Sequence, residues 1–168
     1  DTLNSKSLYN LTTWPENVHI FNSGGLESID FADKNTCLYG YSWDKSENQI
    51  ELFQDLRELD LSKNNILLIH GDLYSKDSKY LPLDKSQLLG FDYIALGHIH
   101  KPDIISNNMA YCGSPEPLDF GETDEHGIII GNIESKITNI EFIPFSCRMF
   151  LEREVKIDET LGYMDIIE

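Results

Sequence analysis

Asn65-Ile-Leu-Leu-Ile-His-Gly-Asp72 is a continuous apolar run that stops abruptly at a histidine, a glycine and an acid. An apolar run of that length, bounded by turn residues, predicts a buried central strand. Phe91-Asp-Tyr-Ile-Ala-Leu96 repeats the pattern and ends at Gly97-His-Ile-His100. Ligands of open α/β sheets collect beyond the carboxyl ends of the strands. Two buried strands that both end in histidine therefore predict an α/β fold with its site at that end of the sheet.

Outward from these runs the period changes. Residues 49–59 carry Ile50, Leu52, Phe53, Leu56 and Leu59 at helical spacing with acids between them, which predicts a helix lying on the sheet. Residues 83–89 predict a short helix stopped by Gly90. Upstream, residues 1–16 read as loop with a helical turn. Residues 17–21, 26–31 and 36–42 read as three successive strands, the pattern of an antiparallel meander, with Asn22-Ser-Gly-Gly25 as a turn. Downstream the pattern is all β, with strands expected over 103–106, 109–112, 126–133, 136–142 and 148–156. Asn107-Asn108 and Glu134-Ser135 fall in turns, and Pro144 is expected to break the sheet before the last strand. One domain is expected over 1–156, and 157–168 as a linker or the start of a following domain.

Composition narrows the class. Thirteen Lys and Arg stand against 29 Asp and Glu, for a net charge of −16 over 168 residues. Contact with phosphates needs a basic face, so this balance argues against a free-standing nucleic-acid binder. It fits a self-repelling, soluble surface, or acids gathered near a metal. No stretch approaches the roughly 20 apolar residues of a membrane span. Cys37, Cys112 and Cys147 are odd in number and widely spaced, with no CxxC pair, so they read as buried or neutral thiols in a reducing compartment.

A lone histidine at a strand end is more often structural than functional. Gly97-His98-Ile99-His100 is stronger, because the glycine lets the chain turn sharply and two imidazoles can then reach two neighbouring metals. His70 brings a third from the adjacent strand, and neutral imidazole is a common ligand of Zn, Mn and Fe. Leu67-Leu-Ile-His-Gly-Asp72 and Tyr93-Ile-Ala-Leu-Gly-His-Ile-His-Lys-Pro102 resemble the last two motifs of the calcineurin-like metallophosphoesterases. Ala110-Tyr-Cys-Gly-Ser-Pro-Glu-Pro-Leu-Asp-Phe-Gly-Glu122 and Trp14-Pro-Glu-Asn-Val-His-Ile-Phe21 resemble stretches of the SbcD-type DNA repair exonucleases in that superfamily.

The resemblance implies the C-terminal part of an α/β sandwich with mixed β-sheets and flanking helices. It also implies two divalent metals, Mn²⁺ before Fe²⁺ or Zn²⁺. His70 and His98 would bind the second metal and His100 the first. Asp1 falls where the final Asp of a Gly-Asn-His-Asp motif would stand, a position that orients the catalytic His. The Asp-Xaa-His, Gly-Asp-Xaa-Xaa-Asp and Gly-Asn-His portions of the pattern have no convincing match. The chain starts at Asp1 without Met, so the expectation is an N-terminally truncated piece, inactive alone. A naturally degenerate chain is the alternative.

In the intact protein the resemblance implies a cytoplasmic exonuclease and phosphodiesterase acting on DNA with an SbcC-type SMC-like ATPase. It leaves open a homodimer formed through the intact protein. Rival readings are an enzyme acting on small phosphodiesters or phosphoproteins, and a non-catalytic binding fragment. Elsewhere, His19 and His126 read as structural or exposed, and Asp72 as a turn stabiliser. Asp119, Glu122, Asp124 and Glu125 read as a solvated acidic loop, and Gly113-Ser114 either borders the phosphate or forms a plain turn.

Overall fold

The structure, a computed structural model, describes residues 3, 5–45, 52–53, 59–154, 156, 160 and 162. The two apolar runs form β3 (Asn64–His70) and β4 (Tyr93–Gly97) at the middle of a six-stranded mixed sheet. β1 (Glu27–Phe31) and β2 (Thr36–Gly40) lie on one side of them, and β5 (Asp103–Ser106) and β6 (Met109–Tyr111) on the other. The spatial order is β1-β2-β3-β4-β6-β5. β2, β3, β4 and β6 run parallel, whereas β1 and β5 are antiparallel edge strands. β7 (Gly127–Glu134) and β8 (Ile137–Pro144) form a separate hairpin. The α/β mixed-sheet expectation is met.

The core covers one face of the sheet. Leu67 and Ile69 of β3, Ile94 and Leu96 of β4 and Tyr111 of β6 are buried together with Leu81, Leu83, Leu88 and Phe91. Burying each such side chain contributes about 1.5–3 kcal/mol. The opposite face is barer than a two-sided apolar strand would be, since Leu68 is 48% exposed. Asn65, fully buried, ties the start of β3 down by donating from its side-chain nitrogen to the carbonyls of Asp60 and Lys63.

Helical structure is sparse among the described residues. α1 (Leu8–Leu11) is one turn capped by Ser7, and Lys85–Leu88 is a 3₁₀ turn capped by Asp84. The first is the expected turn of the leading segment, and the second is a tighter form of the expected short helix. The helix read over 49–59 lies mostly outside the described residues, as do Asp1 and nearly all of the tail from 157.

Three expectations need correction. Residues 17–21 are not a strand. Phe21 packs against β2, where a Cβ on Gly40 would collide with its ring, but the segment forms no ladder with any of the described residues. The meander is therefore a single β1–β2 pair. Pro144 ends the hairpin, opposite Gly127, and so breaks the sheet where the sequence predicts. The described residues of 148–156 form no strand, only a bridge between Thr123 and Phe150. The three thiols are free, with Cys37 buried and Cys112 and Cys147 exposed.

Candidate metal centre

β3 and β4 run side by side in register, so His70 lies opposite Gly97 and His98 follows immediately. The His70 and His98 rings meet edge to face with centroids 5.4 Å apart. Gly97 makes room for this. A Cβ there would lie 3.0 Å from His70 Nδ1. His98 has a φ of 111°, a conformation a side-chain-bearing residue rarely adopts. Strain of this kind collects at functional sites.

Aromatic side chains hold the pair from one side. Trp43 Nε1 donates to the His70 carbonyl at 3.1 Å, and the two rings are edge-on at 5.0 Å. Tyr80 leans over His98 at 5.1 Å and stacks in parallel with Trp43. These residues, with Tyr9 and Phe21, line a cleft of about 500 Å³ that opens onto both imidazoles. Burial against them, reinforced by the charges of His98 and His100, pushes the His70 pKa down to about 4. His70 is therefore neutral, the form that carries a free lone pair, throughout the physiological range.

Asp72 lies at the other flank. Its Oδ1 accepts from the amides of Tyr74 at 2.8 Å and Ser75 at 3.2 Å, and its Oδ2 sits 4.0 Å from His98 Nε2. Burial works to raise its pKa, but these amide bonds and a hydrogen bond from the Ser78 side chain outweigh it and keep the carboxyl below its usual range. The turn-stabilising role read from the sequence is present, and the other oxygen faces the histidine. Tyr111 fixes the loop from below, its hydroxyl donating to the Gly71 carbonyl at 2.7 Å and accepting from the Leu73 amide at 3.0 Å.

His100 is placed differently. Its side chain is half exposed, and its Nδ1 lies 2.5 Å from Glu122 Oε1. Glu122 is therefore not part of a solvated acidic loop. Its side chain is 16% exposed, and Oε2 accepts from the Leu118 amide at 2.9 Å and from Ser114 Oγ at 3.2 Å. The Leu118 amide first, then His100, lower its pKa. Asp119, Asp124 and Glu125 remain exposed as expected. His126 is a buried structural residue, its Nδ1 2.9 Å from the Ser114 carbonyl. His19 is half exposed and 3.5 Å from Glu27.

The structure thus brings His70, His98 and Asp72 together and pairs His100 separately, with the carboxylate of Glu122. Among the described residues no group of three or more His, Cys, Asp or Glu converges tightly enough to enclose a metal. The donor chemistry nonetheless fits a borderline divalent ion. One imidazole is held neutral, and another has its Nδ1 taken by a carboxylate, as metal-ligating histidines commonly do.

Comparison with known proteins agrees with this chemistry. No family model matches the chain. An uncharacterized metallophosphoesterase, YhaO of Bacillus subtilis, is 31% identical over 142 residues, covering 77% of this chain and 34% of the relative. The DNA double-strand break repair protein Mre11 of Methanocaldococcus jannaschii is 27% identical over 151 residues, covering 79% of this chain and 40% of the relative. The SbcD component of the nuclease SbcCD of Escherichia coli K12 is 61% identical over a 33-residue stretch, 18% of this chain and 8% of the relative. The chain belongs to the calcineurin-like metallophosphoesterase superfamily, in its SbcD/Mre11-type branch. It spans only about a third to two-fifths of the length of the first two relatives. None of the described helices is long and apolar enough to cross a membrane.

Proposed function

We propose that this chain forms part of a metal-dependent phosphodiesterase that hydrolyses DNA ends, with His70, His98 and His100 as metal ligands. The observation that carries the reading is the close pair of imidazoles at the ends of two adjacent parallel strands, with His98 on a strained backbone. Bound divalent ions, Mn²⁺ first and Fe²⁺ or Zn²⁺ as alternatives, would supply charge that stabilises the phosphate oxygens and a water acidic enough to attack at neutral pH. The chain's own residues do the rest. His70, kept neutral by its aromatic surroundings, offers a lone pair without first having to lose a proton. Trp43 and Tyr80 fix the two rings and keep water from one flank of the site. Asp72 balances positive charge beside His98.

DNA is the proposed substrate because the relatives include a DNA break-repair protein and a nuclease component. With a net charge of −16, this chain is poorly suited to grip DNA alone. An SbcC-type SMC-like ATPase is therefore the proposed partner, supplying the basic surface in a cytoplasmic complex. Asp1 is proposed to act on the catalytic histidine of the intact protein.

The test is Mn²⁺-dependent degradation of linear duplex DNA by the intact protein, run beside a small phosphodiester. Loss of DNA degradation in His98→Ala supports the reading. Hydrolysis of the small ester alone favours the small-substrate alternative, and no hydrolysis of either with any divalent ion favours a binding role.

A further inference from the structure

We infer that Glu122 is a positioning residue. It holds His100 with the proton on Nδ1, so that the Nε2 lone pair is free for a divalent metal. The inference rests on the reading of His100 as a ligand given above.

Which of the two partners orients the other follows from how each is anchored. The His100 ring is half exposed and its only polar side-chain partner among the described contacts is Glu122. The carboxylate is fixed independently. One of its oxygens is occupied by a main-chain amide, Leu118, and by the Ser114 hydroxyl, which leaves the other aimed at the imidazole. Ser114 is itself immobilised. Its amide donates to the His100 carbonyl at 2.9 Å, and its carbonyl lies 2.9 Å from Nδ1 of the buried His126. Gly113, at a φ of 75°, permits that approach, because a Cβ there would come within 2.6 Å of the His100 carbonyl oxygen. His126, Ser114 and Glu122 thus form a relay of hydrogen bonds from the core to the exposed ring.

The consequence is chemical. A carboxylate is an acceptor only, so the nitrogen facing it must carry the proton. The hydrogen bond made by one ring nitrogen settles which tautomer the other presents. With Glu122 in place, Nδ1 is the donor and Nε2 the free base. The neighbouring acids do not share the task. Asp124 pairs with Lys101, and Asp119 accepts from the Gly121 amide.

The experiment uses the metal-free chain first. Long-range ¹H–¹⁵N NMR of the His100 ring reports which nitrogen is protonated, and Mn²⁺ titration followed by EPR reports affinity. The wild type is expected to carry its His100 proton on Nδ1. Glu122→Gln is expected to mix the two tautomers and to weaken Mn²⁺ binding about tenfold, the scale of losing a partner that orients a ligand. Glu122→Asp, too short to reach, is expected to do the same and serves if the Gln variant does not fold. A wild-type His100 protonated on Nε2, or variants that change neither tautomer nor affinity, overturn the inference. If the tautomer responds while His100→Ala leaves Mn²⁺ binding unchanged, the coupling stands and the metal reading of His100 falls.

Discussion

Trp43 touches His70 twice, donating from its indole nitrogen to the histidine's carbonyl at 3.1 Å and meeting the imidazole edge-on with its ring at 5.0 Å. The end of β3 is thus clamped at both backbone and side chain by a residue from the loop after β2. Trp43→Phe keeps a ring in the position and deletes the donor. It is expected to cost about 1 kcal/mol, the net worth of an ordinary hydrogen bond. The drop in urea midpoint at an unchanged slope measures it.

Gly97→Ala probes the space above His70. The added methyl would sit 3.0 Å from His70 Nδ1, so the ring must give way by a few tenths of an ångström. The sheet itself has no quarrel with alanine, and the thermal midpoint is expected to move by only a few degrees. Mn²⁺ affinity is expected to fall about tenfold, because ligand geometry tolerates displacement less well than packing does. Calorimetric titration beside a melting curve separates the two effects.

Backbone strain at His98 makes an inverted ranking. Glycine ordinarily destabilises a strand end relative to alanine, but φ is 111° here, where any Cβ is strained. His98→Gly is expected to be more stable than His98→Ala by about 1–2 kcal/mol, within the usual cost of such conformations. Both are expected to lose activity in the intact protein. Equal stability of the two variants would show that the backbone relaxes when the imidazole is removed.

The lowered pKa of His70 has a signed effect on folding. The unfolded side chain titrates near 6.5, the folded one near 4. Between those values the unfolded chain binds a proton that the folded chain refuses, so stability declines as pH falls through the window. Above 6.5 the effect is absent. His70→Gln is expected to flatten this part of the stability–pH curve, which urea unfolding at several pH values between 4 and 7 would reveal.

The central part of this fold is legible in the sequence because it depends on local pattern. Ile66 to Ile69 and Tyr93 to Leu96 are apolar runs ended by turn residues, and Asn107-Asn108 and Ser135 mark hairpins directly. Where a strand requires a distant partner, pattern alone misleads. Residues 17–21 alternate like a strand yet have no ladder, and those of 148–156 that are described stay single. The site divides along the same line. The spacing of His98 and His100 is written in four consecutive residues. Glu122 closes the stretch from Ala110 that resembles the SbcD-type exonucleases, but Asp119 shares that stretch and nothing local to either acid tells which one meets His100. His100 lies 22 positions upstream of Glu122, and only folding brings the two within 2.5 Å.

The central claim is that the three imidazoles at the ends of β3 and β4 form a metal site. Titrating Mn²⁺ into isotopically labelled chain and following paramagnetic broadening of the histidine ring signals tests it even if binding is weak. The rings of His70, His98 and His100 should broaden first and together, ahead of those of His19 and His126. Broadening that begins instead at Asp119, Asp124 and Glu125, and leaves those three rings sharp, would contradict it.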